Sequence, residues 1–149
     1  MINTIFNPVS NCYIESLDGV WSECNRVLKP KGKIMTEFPN PTIFLFKMIG
    51  EKAELKYKMP YNPFEALTVE EMENLFKTDG VQFGHSFDEL IGWLVHSGFN
   101  IIDFYEDYYP VDTSVNNFDT NIWFIASKLT EYMPTFFCIL AVKRVKVFL

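Results

Sequence analysis

A chain of 149 residues, 48% of them hydrophobic and 17% aromatic, is long enough for one domain with a real core and too apolar for a disordered segment. Its formal charge of −6, with lysines spread rather than striped, argues against a nucleic-acid partner and for a small or neutral ligand. The longest apolar stretch, Phe136 to Val142, falls far short of the roughly 20 residues of a membrane span, and no basic-then-apolar leader opens the chain, so a cytoplasmic protein without a membrane partner is expected.

The chain opens on a short strand, Ile2 to Phe6, that runs into the turn Asn7-Pro8-Val9-Ser10-Asn11. Ile14, Leu17, Val20 with Trp21, Cys24, and Val27 with Leu28 then recur at helical spacing. Asn11 is the candidate N-cap of that helix and Lys29-Pro30-Lys31-Gly32 its stop. Lys33 to Phe38 alternates, with Ile34, Thr36 and Phe38 on one face and Met35 and Glu37 on the other, until Pro39-Asn40-Pro41 interrupts a second, parallel strand.

Between Thr42 and Asn62 a short helix and an edge strand or arm both fit, since Ile43 to Phe46 are apolar in succession while Leu55 and Tyr57 alternate with lysines. Thr68-x-x-Glu71 is a capping box that opens a helix carrying Val69, Met72, Leu75 and Phe76. A second box, Ser86-x-x-Glu89, opens a helix with Phe87, Leu90, Ile91, Leu94 and Val95 facing inward, ended by Gly98 in the left-handed position. Phe99 to Tyr105 reads as a strand, 122–128 as a helix, and Thr135 to Val147 as a long closing strand. Asn116-Asn117 is a turn signal between them. The three cysteines, Cys12, Cys24 and Cys138, have neither paired nor CxxC spacing, so reduced thiols are expected rather than a disulfide framework or a metal site.

The order strand, helix, strand, arm, helix, strand, strand is that of an α/β sheet with flanking helices. In such a sheet ligands sit beyond the carboxyl ends of the strands, which puts Asn7 to Asn11 at the rim of the expected pocket. Ser10 and Asn11 also suit helix caps, and Tyr13 either projects toward the pocket or packs. His85, just before a helix, has a ring nitrogen suited to a general base, although a polar residue beside an N-cap needs no catalytic reason. Glu106 and Asp107, followed by Tyr108 and Tyr109, suit a cationic or hydroxylated substrate or a plain solvated strand end.

The run IFNPVSNCYIESLDGVWSECNRVLKPKGKIMTEFPNP resembles strand four, helix four and strand five of class I S-adenosylmethionine-dependent methyltransferases, whose fifth strand follows a string close to RVLKPGG; Lys31 stands where the first glycine of that pair would be. FGHSFDELIGWLVHSGFNIIDFYED resembles the next helix and strand six, and YMPTFFCILAVKR the terminal antiparallel strand of the small-molecule type. The resemblance implies a partial Rossmann-like sheet, strands four to seven with the last antiparallel, over a single truncated domain spanning 1–149. It implies S-adenosylmethionine as cofactor and a small-molecule methyl acceptor, with catalysis by proximity and orientation. Asn7, Pro8 and Val9 would lie beside the donor methyl, and Ser10, Asn11, Tyr13, Glu106 and Asp107 on the acceptor side. The family's acidic-x-Gly-x-Gly loop, which holds the methionine and ribose parts of the cofactor, has no counterpart, so the expectation is a portion inactive alone or a non-catalytic remnant. The first strand would then have an unpaired edge, and self-association into a homo-oligomer through it is expected.

Overall fold

Two parallel strands joined by a helix begin the structure. β1 (Ile2–Asn7) lies beside β2 (Leu28–Pro39), with Ile5 opposite Ile34 and Asn7 opposite Thr36, and α1 (Asp18–Val27) makes the crossover that parallel pairing requires. The computed structural model describes residues 1–50, 52–78, 80–109 and 122–145. After β2 come a 3-10 turn (Pro41–Leu45) and an antiparallel hairpin of β3 (Phe46–Ile49) and β4 (Lys52–Leu55), which forms a two-stranded sheet of its own. Then follow α2 (Pro63–Ala66), α3 (Val69–Thr78), a π-helical turn (Asp88–Gly92) continuing into α4 (Trp93–His96), β5 (Phe99–Asp107), α5 (Ile122–Leu129) and β6 (Phe136–Lys143).

The main sheet has the order β1-β2-β6-β5, with β6 antiparallel to both β2 and β5. This is the α/β arrangement with a terminal antiparallel strand that the sequence led us to expect. Among the described residues β1 has β2 as its one neighbour and stands at the edge, with Ile2 48% and Phe6 65% exposed.

The alternation in β2 decides which face is covered. Ile34 and Phe38 are buried under Leu17 and Trp21 of the α1 region and Leu90 and Leu94 of the π-turn and α4, together with Ile139 and Ala141 from β6. Trp21, fully buried, also donates its indole N–H to the carbonyl of Glu89 at 3.3 Å, locking α1 to the π-turn. Removing such a side chain costs about 3–5 kcal/mol. A second core gathers Cys12, Ile43, Phe44, Met48, Ile125 and Ala126, where the hairpin and α5 close over the carboxyl end of β2. Asn40 fastens this corner: its N–H donates to Thr135 at 2.8 Å, its side-chain amide to Pro134 at 2.7 Å, and its Oδ1 accepts from the Thr42 N–H at 3.0 Å.

Several boundaries differ from the sequence reading. The first helix starts at Asp18, with Leu17 at its N-cap and no side-chain cap, and Asn11 lies in a separate 3-10 turn, Ser10–Tyr13. Asn11 is fully buried, so its amide meets interior groups rather than capping a helix. β2 begins at Leu28, not Lys33, because Leu28 already faces Ile2; the register then shifts before Thr4 meets Lys33, and residues 29–32 bulge. Both capping boxes form, with reciprocal Thr68–Glu71 and Ser86–Glu89 hydrogen bonds. The second opens on a π-turn, and Phe87 is exposed rather than inward. Gly98 does end its helix at φ +95. The closing strand runs Phe136–Lys143; positions 146 and 147 of the expected strand, and the Asn116-Asn117 turn, lie outside the described residues.

Candidate functional site

The turn leaving β1 is built from side chains that hold one another. Val9 donates its N–H to the Glu37 carbonyl at 3.0 Å, which folds the chain back over the end of β2. To do so Val9 takes φ 49 and ψ 2, a left-handed conformation that costs a β-branched residue about 1 kcal/mol or more. Asn7 donates its amide to Asn11 Oδ1 at 2.9 Å, Ser10 donates its hydroxyl to Asn7 Oδ1, and Asn11 donates its amide to Thr36 Oγ1 at 3.2 Å. The Cys12 thiol faces the Val9 carbonyl at 3.2 Å and is pushed up to about 12 by burial, which leaves it a neutral thiol rather than a nucleophile.

A second segment runs alongside. The Phe83 N–H donates to the Cys12 carbonyl at 2.6 Å, and Gly84 exchanges backbone hydrogen bonds with Tyr61 at 2.9 and 2.7 Å. A Cβ on Gly84 would stand 2.7 Å from the Phe44 ring, so this close approach admits only glycine. His85, 5% exposed, points Nε2 at the carbonyls of Ile14 (2.8 Å) and Asn11 (3.2 Å). Two carbonyl acceptors require Nε2 to carry the proton. Nδ1 faces Glu89 Oε2 at 4.0 Å. Nε2 is therefore engaged in bracing the turn, and Nδ1, the nitrogen that would serve as a general base, lies on a ring only 5% exposed.

Of the rim residues, Pro8, Ser10 and Tyr13 are exposed, Asn7 and Val9 half-buried, and Asn11 buried. Gln82, 4% exposed, donates its amide to Tyr13 Oη at 3.4 Å, and its Oε1 accepts no hydrogen bond from the described residues. Thr36 and Gln82 are site residues that the sequence reading passed over. Thr36 had a signal, as the one hydroxyl in the inward row Ile34, Thr36, Phe38; Gln82 had none.

Glu106 and Asp107 are exposed at the end of β5. Asp107 accepts from the Tyr108 N–H at 2.8 Å, and the Tyr108 hydroxyl reaches Glu106 at 3.4 Å. Asp107 also joins Glu37 and Cys138 on the face of the sheet away from α1, their donor atoms all within 4.8 Å of one another, a spacing at which a cation could be shared. Burial, then the charge of Asp107, pushes the Glu37 carboxyl up; burial first also raises the Cys138 thiol. A hydrogen bond to Cys138 is the main cause that lifts Tyr105 to about 12. Glu37 thus connects the two candidate groups, its carbonyl holding Val9 and its side chain meeting Asp107.

The residues present fit a whole S-adenosylmethionine molecule poorly. Of the seven glycines none stands two positions from another, so no Gly-x-Gly loop exists in the chain. The turn that joins β1 to α1 contains no glycine before Gly19, and its Val9 N–H is already bonded. What remains is a turn of amides and hydroxyls able to orient a polar group at the sheet's carboxyl end.

No family model matches the chain. It is 34% identical over 109 residues to the uncharacterized methyltransferase YbaJ of Bacillus subtilis strain 168, a match covering 70% of this chain and 43% of that protein. Its fold is shared by an S-adenosylmethionine-dependent methyltransferase from Mesorhizobium loti (TM-score 0.60, 16% identity, 95% of this chain and 62% of that one). The geranyl diphosphate C-methyltransferase of Streptomyces coelicolor A3(2) shares it too (TM-score 0.53, 17% identity, 97% and 46%). The chain spans less than half the length of YbaJ and under two thirds of the Mesorhizobium protein. By sequence and fold it belongs to the class I S-adenosylmethionine-dependent methyltransferases.

Proposed function

We propose that this chain is a truncated methyltransferase domain, the acceptor-side portion of an S-adenosylmethionine-dependent enzyme that methylates a small molecule, and that it is inactive alone. The observation that carries this reading is the ordered Asn7–Ser10–Asn11–Thr36 network at the carboxyl end of β1, in a chain without a Gly-x-Gly loop. Asn7, Pro8 and Val9 would border the donor methyl, while Ser10, Asn11, Tyr13, Glu106 and Asp107 would face the acceptor. Neutral amides and hydroxyls suit that task, because orientation alone supplies much of the rate in a displacement between bound partners. The segment from Thr42 to Asn62, and residues 108–121, of which 110–121 lie outside the described residues, are natural places for acceptor specificity. Three free thiols accord with a cytoplasmic setting, and no helix among the described residues is long and apolar enough to cross a membrane.

A second reading, a non-catalytic interaction module, draws on β1 itself. Its outer edge is unpaired among the described residues, and Met1, Ile2 and Phe6 are exposed beside it, the combination that recruits another strand. Under both readings the chain forms a homo-oligomer through β1. Calorimetric titration with S-adenosylmethionine at several protein concentrations, with gel filtration at the same concentrations, tests them. Saturable binding that grows with assembly supports a rebuilt cofactor site. A folded, assembled sample that binds nothing supports the module, and a single-chain mass throughout would sink the self-association.

A further inference from the structure

We infer that the cleft between the carboxyl ends of α1 and α4, at the end of the sheet away from the Asn7–Asn11 turn, binds a small phosphate-bearing anion. The cleft measures about 970 Å³, within the range of small-molecule sites. It is lined by Asn25, Gly98 and Lys143 together with Arg26, His96 and Arg144. The whole chain is acidic, at −6, yet three of its 13 lysines and arginines and one of its two histidines line this one cleft, and no carboxylate among the described residues does. A concentration of one sign of charge in a concavity, against the sign of the molecule, focuses field where a counter-ion can sit.

Lys143 and Arg144 are held in place by groups that do not neutralise them. Lys143 Nζ donates to the carbonyls of Asn25 at 2.5 Å and Leu28 at 2.8 Å, which leaves its third N–H without a partner among the described residues, and Arg144 donates to the Val95 carbonyl. Neither has a carboxylate partner among the described residues. Arg26 pairs with Glu23 at 2.6 Å, but both are exposed to solvent that screens the pair, so the guanidinium can turn to a better anion. The carboxyl ends of the two helices place about half a negative charge each nearby, less than the two full charges of Lys143 and Arg144. Ser97, which also lines the cleft, adds a hydroxyl suited to phosphate oxygens, whereas Ser22 donates its own to the Gly19 carbonyl at 3.0 Å. A long nucleic acid would meet the acidic remainder of the surface, so the ligand is small.

The test is an NMR titration of the full chain with sodium pyrophosphate at constant ionic strength. Saturable shifts confined to residues 96–98 and 143–144, with a Kd of about 1 mM or tighter, are expected. Lys143→Met with Arg144→Met should weaken binding about tenfold. Since Lys143 also braces α1, Arg26→Gln with His96→Gln provides a second variant whose one described loss is the exposed Glu23 pair on the same helix, with an expected loss of about threefold. Lys52→Met, on the separate hairpin, should change nothing. No saturation by about 10 mM pyrophosphate, shifts centred elsewhere, or an equal loss in Lys52→Met would overturn the inference.

Discussion

His85 and Ile14, far apart in sequence, meet through a 2.8 Å hydrogen bond from Nε2 to the carbonyl oxygen, and the same N–H reaches the Asn11 carbonyl at 3.2 Å. The histidine therefore braces both ends of the turn that borders the candidate site. Replacing it by alanine takes a donor from the Ile14 carbonyl and leaves the Asn11 carbonyl with the Ile14 N–H alone, so His85→Ala should lower stability by about 1–3 kcal/mol. His85→Gln, which can still donate, should recover part of that. Urea unfolding decides it, and a loss within experimental error in the alanine variant would mean that water replaces the ring at no cost.

Asn11 is the centre of the turn's polar network, accepting from Asn7 at 2.9 Å and donating to Thr36 at 3.2 Å while fully buried. Asn11→Leu keeps the branched shape but leaves the Asn7 amide and the Thr36 hydroxyl without their partner. A loss of about 2 kcal/mol is expected, larger than for Ser10→Ala, whose hydroxyl is exposed. If the two variants melted together, the network would not be coupled as the geometry requires.

These two residues show where sequence reading stops. Asn11 carries the residue type of an N-cap and stands before a helical pattern, so local rules assign it to capping; its actual partner Thr36 lies on another strand. His85 likewise looks like a surface residue beside a cap until the chain returns past Ile14. The features that depend on near neighbours were legible: the Thr68 and Ser86 capping boxes, the left-handed Gly98, and the two faces of Lys33 to Phe38. The sheet order was legible only through the resemblance, since nothing in β6 by itself says that it inserts between β2 and β5.

Lys31 occupies the position where the family's string has glycine, and it holds φ 63 in the bulge before Lys33. An exposed lysine there is strained by about 1 kcal/mol and gains nothing from burial. Lys31→Gly should raise stability by up to about 1 kcal/mol, and Lys31→Val should lower it. The urea midpoints of the three proteins should fall in the order Gly, Lys, Val; a glycine variant below the parent would show that backbone entropy outweighs the relieved strain.

Glu71 ties the hairpin to α3: its carboxylate accepts from Lys47 of β3 and, as half of the capping box, from the Thr68 N–H at 2.8 Å. The Lys47 hydrogen bond, then the Thr68 N–H, hold its carboxyl down at about 2 against an ordinary 4.5. The stabilisation is present above 4.5 and is lost as pH falls toward 2. Glu71→Gln should therefore cost about 1–2 kcal/mol at pH 7. That gap should close as both proteins are taken below pH 4.5. A gap that stayed constant to pH 2.5 would assign the loss to packing rather than charge.

At the alkaline end the pressure comes from buried acids that must stay neutral. Burial lifts the Cys12 thiol from 9.0 to about 12 and also raises Tyr57 and Tyr61 above their ordinary range. The unfolded chain releases the Cys12 proton first, so its contribution is complete below pH 9 and declines as pH rises toward 12. Thermal melts between pH 8 and 11 should show a falling midpoint, and the fall should be shallower in Cys12→Ala even though its midpoint at pH 8 is lower. The same burial makes Cys12 unreactive toward a thiol reagent at pH 8 in the folded protein, while Cys24, half-buried, is labelled before it. Labelling of Cys12 at the rate of an unfolded thiol would mean that the turn over it opens freely, and the bracing assigned to His85 would fall with it.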